Sequence, residues 1–199
     1  MRCRAFLIVS FVVIGLGGCA PKTFYVIPHY TRPARIAVLP MRNNTTDLDG
    51  PISVRTLIQA RLMNSGYVVI PLEQIDSILK DKGFNEAGQL NAATPQELGE
   101  WLNVDGLFYS TLEEFAYINV GFYWRRNVVI SGKLVLAKSG DKLWEAERGW
   151  STLNLEANPQ RAKEQFAAQL AVKAFEKMTH NSLLLESRRA VELLIRTLP

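Results

Sequence analysis

Residues 35–71 read R-I-A-V-L-P-M-R-N-N-T-T-D-L-D-G-P-I-S-V-R-T-L-I-Q-A-R-L-M-N-S-G-Y-V-V-I-P, and the order of patterns within them decides the fold class. Residues 35–39 form a short apolar run containing β-branched side chains and ended by Pro40, the signature of a buried strand. Residues 42–51 are rich in Asn, Thr, Asp and Gly and read as a loop. Val54, Ile58 and Leu62 then recur at i, i+4 and i+8 with Leu57 beside them, which predicts a helix over about 52–65, with Gly66 where a terminating glycine belongs. Residues 67–70 make a second apolar run, stopped by Pro71. A crossover helix between two short buried strands implies an α/β sheet.

Outward from this unit the first half stays helical. Leu72, Ile75, Ile78 and Leu79 line one side of a predicted helix over 72–82, and Thr94-Pro95-Gln96-Glu97 is a helix start with a cap, a proline at the first position and a capping-box glutamate. The second half alternates with period two over 106–118, 127–137 and 143–152, and Lys138-Ser139-Gly140-Asp141 supplies a hairpin turn. An antiparallel meander is expected there. Two helices follow, one over 158–178 with rows Phe166, Leu170, Ala174, Met178 and Ala167, Ala171, Phe175, and one over 183–198. The expectation is an α/β fold: a single domain over 35–199, a mixed β-sheet with flanking helices. No internal repeat or low-complexity segment interrupts it.

The amino end has a different character. Arg2 and Arg4 precede a 12-residue stretch, 5–16, that is apolar except for Ser10. As a helix it would rise roughly 18 Å, short of the ~30 Å hydrocarbon core, which fits a removed secretory signal better than a stable span. Leu16-Gly17-Gly18-Cys19 resembles the lipobox. That motif requires a thiol at its last position, where lipid is attached as a thioether, and small residues before it to fit the signal peptidase. Residues 1–18 are therefore expected to be a lipoprotein signal peptide, Cys19 the lipidated (palmitate-type) residue, and 19–34, with Pro21, Pro28 and Pro33, a tether. One acyl chain binds a membrane only marginally, whereas two or three on one cysteine hold nearly permanently. Ala20 in place of an inner-membrane-retaining aspartate implies an outer-membrane lipoprotein facing the periplasm, with surface exposure left open.

Composition excludes several classes. Removing 18 of 199 residues leaves 181, enough for one domain with a core. Loss of Arg2 and Arg4 lowers the basic count from 23 to 21 against 19 acidic, a net charge of +2, which is no nucleic-acid footprint. The two cysteines, Cys3 and Cys19, are respectively removed and lipidated, so no disulfide is expected, and two histidines leave little from which to build a zinc site. No cofactor and no metal site is expected.

The ordered set R-I-A-V-L-P-M-R-N-N-T (35–45), G-Y-V-V-I-P (66–71), V-D-G-L-F-Y (104–109) and K-L-V-L-A-K-S-G-D-K-L-W-E (133–145) resembles a lipoprotein family that includes a genome-derived neisserial surface antigen. The resemblance spans roughly 24–180. It implies a fold similar to the TolB amino-terminal domain, to the curli-secretion lipoprotein and to a lipoprotein activator of a peptidoglycan synthase. It further implies a non-catalytic interaction or assembly module of an envelope complex, serving secretion or the cell wall, and it carries over no active-site motif.

Candidate chemistry is sparse. Ser77-Ile78-Leu79-Lys80 fits S-x-x-K, in which a lysine one helical turn on could activate the serine; a serine hydrolase using Ser77 and Lys80 is the rival reading, but S-D-N and K-T-G are absent. A small-molecule or peptide carrier is a third reading and would need a deep apolar pocket. Asp47-Leu48-Asp49-Gly50 is part of a calcium-loop pattern, yet Thr56 stands where the bidentate glutamate should, so a turn leading into a helix fits better. Glu113 and Glu114, as strand neighbours, are expected on opposite faces. Phe122, Tyr123, Trp124, Arg125 and Arg126, placed between two predicted strands, combine the residue types that dominate interface hot spots. They read either as ordinary strand packing with a solvated turn or as the candidate surface for an envelope protein partner, with membrane contact the further alternative there; the membrane itself is reached through Cys19. The last helix, with Leu184, Val191 and Leu198 at intervals of seven, either packs on the domain or docks a second subunit in a homo-oligomer.

Overall fold

Hydrogen bonds local to the chain place several elements as their residues dictate. In the computed structural model, which describes residues 23–120, 123–155 and 183–199 together with 161, 164, 166–168, 170 and 171, the Thr94 hydroxyl accepts the Glu97 backbone N–H at 3.2 Å and the Glu97 carboxylate accepts the Thr94 N–H at 2.8 Å. This reciprocal box starts helix α3, Pro95–Leu102. The two hydrogen bonds from Thr94 hold the exposed Glu97 carboxyl below its ordinary pKa. Asp47 Oδ1 accepts the N–H groups of Asp49 and Gly50, turning the chain into α1, Gly50–Asn64. These residues make a turn, as the sequence favoured over a metal loop.

The strands are β1 (Phe24–Val26), β2 (Arg35–Val38), β3 (Arg42–Asn43), β4 (Val68–Val69), β5 (Gly106–Asn119), β6 (Tyr123–Leu136) and β7 (Lys142–Leu155), with α2 at Leu72–Asp81, a 3-10 turn at Ala87–Ala92 and α4 at Leu184–Ile195. They form one mixed sheet in the order β1-β7-β6-β5-β2-β4, with β3 also on β5. β2 runs parallel to β4 and β5; β5, β6, β7 and β1 pair antiparallel. The α/β expectation is met, with the crossover unit supplying the parallel part and the meander the rest.

Two layers of helix cover the two faces. On one, α1 and α4 pack over Ile36, Val38, Phe108, Leu112, Ile130, Leu134 and Trp144; on the other, α2, the 3-10 turn and α3 pack over Ala37, Leu39, Leu107 and Ala137. Period-two alternation along β2 produces both sets from neighbouring residues. α3 lies close because residue 99 is glycine: a Cβ there would collide with that of Ala137. Arg55 of α1 is buried, donating to the Val38 carbonyl at 2.9 and 3.1 Å and to Asp76 of α2 at 2.7 Å, so it ties both helices to β2.

Three local expectations change. Residues 42–43, read as loop, form β3, because Thr111 and Leu112 of β5 offer a parallel edge. The segment 19–34, read as tether, contains β1, whose register on β7 (Phe24 opposite Ala146) is extended by Glu147 N–H donating to the Thr23 carbonyl; prolines flank this strand but none lies in it. β6 begins at Tyr123 rather than 127, so most of the aromatic-arginine segment is strand. The helix expected over 158–178 falls mainly outside the described residues; those described within it are helical. No described helix is long and apolar enough to cross a membrane.

Candidate interaction surface

The three long strands of the meander outrun the described helices that cover the sheet. β5, β6 and β7 have 14 residues each. Their far half, from the bulge at Leu112/Glu114 to the Asn119–Tyr123 hairpin, forms a ribbon, and its register assigns every side chain to a face. Ile118, Arg125 and Leu153 share one row, and Tyr123 and Leu155 the next, all on the outer face. Asn119, Trp124 and Asn154, then Tyr117, Arg126 and Thr152, lie on the face that carries α4.

This alternation divides the five residues read as a partner surface. Arg126 is not available to a partner. Its guanidinium Nε stands 3.0 Å from Glu186 Oε1 of α4, with the two side chains 11% and 2% exposed, and Thr152 donates to the same carboxylate oxygen at 3.2 Å. Trp124 is half-buried on the same inner face. Tyr123 and Arg125 lie on the outer face, Arg125 donating to Ser151 at 3.2 Å. Phe122 lies outside the described residues. The structure therefore brings Tyr123 and Arg125 together and sends Trp124 and Arg126 to the other side, because strand neighbours alternate.

The bulge overturns the reading of Glu113 and Glu114. One extra residue in β5 puts both carboxylates on the outer face. Ser131 donates to Glu113 at 2.6 Å, Asn44 donates to Glu113 at 2.7 Å, and Asn127 donates to Glu114. Ser131 and Asn127 are four apart on β6 and so point the same way. The donors are neutral amides and a hydroxyl, which fix the two carboxylates rather than set one against the other as an acid and a base.

Nearer the 3-10 turn, the same face carries a half-open hollow of about 180 Å³ lined by Arg42, Asn91, Tyr109, Ser131, Lys133 and Glu145. Burial raises the Tyr109 phenol pKa, and the Lys133 ammonium lies 5.0 Å from its ring centre. This polar lining differs from the apolar pocket the carrier reading requires. Ser77 and Lys80 lie on α2 with both side chains exposed, and none of the residues lining this hollow comes from α2. A cleft that shields the hydroxyl, a requirement for acyl chemistry, is thus not formed by this hollow.

The residues that sequence reasoning missed are the outward apolar ones: Ile118, Leu153 and Leu155, respectively 44%, 61% and 67% exposed. The signal was present in T-L-N-L (152–155), where alternation puts Leu153 and Leu155 on one face, but it required knowing that no described helix covers that part of the face.

A family model described as "Putative lipoprotein GNA1162-like" matches residues 25–189. A curated lipoprotein of Neisseria meningitidis serogroup B is 27% identical over 136 residues, 66% of this chain and 63% of its own length; the match thus spans under two thirds of that relative. The crystal structure of lipoprotein GNA1162 from Neisseria meningitidis aligns with a TM-score of 0.56 at 24% identity, over 71% of this chain and 99% of that one. A PelC dodecamer from Paraburkholderia phytofirmans aligns with a TM-score of 0.52 at 12% identity, over 90% and 98% of the two chains. These likenesses are of fold.

Proposed function

Because this chain belongs to the GNA1162-like lipoprotein family, we propose that it is a lipid-anchored, non-catalytic assembly module of the bacterial envelope, held through Cys19 at the periplasmic side of the outer membrane. The observation that carries this reading is the position of the family match: it begins at residue 25, just after a charged, apolar, small-residue leader that ends in Cys19. The long ribbon, with its polar groups committed to internal hydrogen bonds, supports contact rather than turnover. Of the five residues first read as partner-facing, Tyr123 and Arg125 share the outer face of the ribbon, where membrane contact was the alternative reading.

Self-association belongs to the same reading. The fold is shared with a PelC assembled as a dodecamer, and Phe166 and Leu170 are exposed on a helix of this chain. A photo-crosslinking residue at position 170 or 185, both exposed leucines, tests it in intact cells. The expected result is a discrete adduct, with a second copy or with an envelope protein, that disappears when Cys19→Ala frees the chain from the membrane. An anchored chain that yields no protein adduct at either position contradicts an assembly role.

A further inference from the structure

The outer face of the ribbon has a chemistry of its own. Ile118, Leu153 and Leu155 surround Arg125 and Tyr123 on one face, and Val120 is exposed at the hairpin turn. Of the ribbon's arginines Arg125 points outward, whereas Arg126 and Arg148, in register with Tyr117 and Ile130, lie on the α4 face; the outward carboxylates of Glu113 and Glu114 sit back toward the bulge, held by Ser131, Asn44 and Asn127. Glu186 neutralises Arg126 from within. Toward the hairpin the outward balance is apolar and aromatic with one cationic head, Arg125, the mixture that settles at a bilayer interface, where apolar side chains enter the acyl boundary and an arginine reaches the headgroups.

The short link to Cys19 says which surface this face meets. Thr23 is pinned to Glu147 by a backbone hydrogen bond, and only four residue steps separate it from Cys19. Those steps span at most about 14 Å however they run. From Glu147 the ribbon continues for eight residues to Leu155, roughly 26 Å at about 3.3 Å per residue. β1 runs antiparallel to β7, so the chain enters the sheet from the ribbon's side. A ribbon longer than the link that anchors it cannot stand clear of the bilayer when it points toward it. Its tip or one of its faces then meets the surface, and the outer face is the one with the matching chemistry.

Resting on lipidation at Cys19, we propose that the face formed by Ile118, Tyr123, Arg125, Leu153 and Leu155 lies on the membrane, its leucines in the interface and Arg125 among anionic headgroups. The lipid then fixes the orientation of the domain as well as its location, and it leaves the α1/α4 side free for protein contacts.

The test uses the full lipidated chain in vesicles of phosphatidylethanolamine and phosphatidylglycerol. Lipidation leaves no native thiol in the mature chain, so Leu153→Cys and, in the β6–β7 turn at the opposite end of the meander, Ser139→Cys each accept one nitroxide label. At 153, collision with oxygen should exceed collision with a water-soluble nickel chelate several-fold, at a depth of about 5–10 Å; at 139 the order should reverse. A label at 153 as open to the chelate as at 139 overturns the proposal. So does one shielded from both reagents, as it would be beneath a second copy or a protein partner. Mass measurement before labelling separates this from the anchoring reading. If Cys19 carries no lipid, that reading fails, and the face is judged by the same labels in the Cys19→Ala chain mixed with vesicles: immersion at 153 supports it, and its absence overturns it.

Discussion

Glu186→Ala should destabilise the folded chain by about 3–5 kcal/mol, because it leaves the Arg126 guanidinium buried without its counter-charge. The pair is 3.0 Å apart and sits between β6 and α4, with the Tyr117 ring 5.8 Å from the guanidinium carbon. At about 2–4 °C per kcal/mol for a chain of this size, the melting temperature should fall by roughly 10 °C. The combined change Arg126→Met with Glu186→Leu removes both charges and keeps the volume, so it should return stability close to the starting value. Thermal unfolding followed by circular dichroism measures all of these. A Glu186→Ala loss below about 1 kcal/mol would mean that the pair behaves as a surface ion pair. The same scan revisits the surface reading of Arg126: a partner-facing arginine could be truncated at a cost within about 0.5 kcal/mol, which the burial of this one forbids.

Trp144→Ala is the second large change, expected to cost about 3–5 kcal/mol through lost burial and the cavity left behind. The side chain is fully buried. Its ring stacks on Phe108 with centres 5.7 Å apart, and its indole N–H donates to the Thr197 carbonyl at 3.1 Å and lies 3.2 Å from the Thr197 hydroxyl. One residue thus joins β7 to β5 and to the end of the chain. Gly132 leaves room for it; a Cβ there would lie 3.1 Å from the ring. Trp144→Phe keeps most of the apolar contact and loses the hydrogen bond, so about 1 kcal/mol is expected for that part. Urea unfolding of both variants checks the order Phe milder than Ala; equal losses would place the cost in the hydrogen bond rather than in packing.

What was legible in the sequence was local. The Thr94–Glu97 box, the glycine after α1 and the hairpin at 138–141 depend on residues a few positions apart, and they formed where expected. The motif set read as a family resemblance over 24–180 agrees with the match over 25–189. The misses are non-local. β3 is two residues from an Asn-rich loop, and only the distant edge of β5 makes it a strand. β1 depends on the open edge of β7 in the same way. Glu113 and Glu114 share a face because the register on β6 slips by one, an event that leaves no mark in composition. The two arginines at 125 and 126 look equivalent as a pair of letters; alternation sends one outward and one to a glutamate on the last helix. The contact surface was half legible for the same reason, since its aromatic residues announce themselves while the leucines of β7 matter only once the sheet is assembled.

The most direct measurement is the mass of the amino-terminal peptide of the mature chain extracted from membranes. The account predicts a chain that begins at Cys19, with a diacylglyceryl group in thioether linkage to its sulfur and an acyl group on its amine where the host adds one. A membrane-extracted chain that begins elsewhere, or one whose Cys19 is a free thiol, would contradict it.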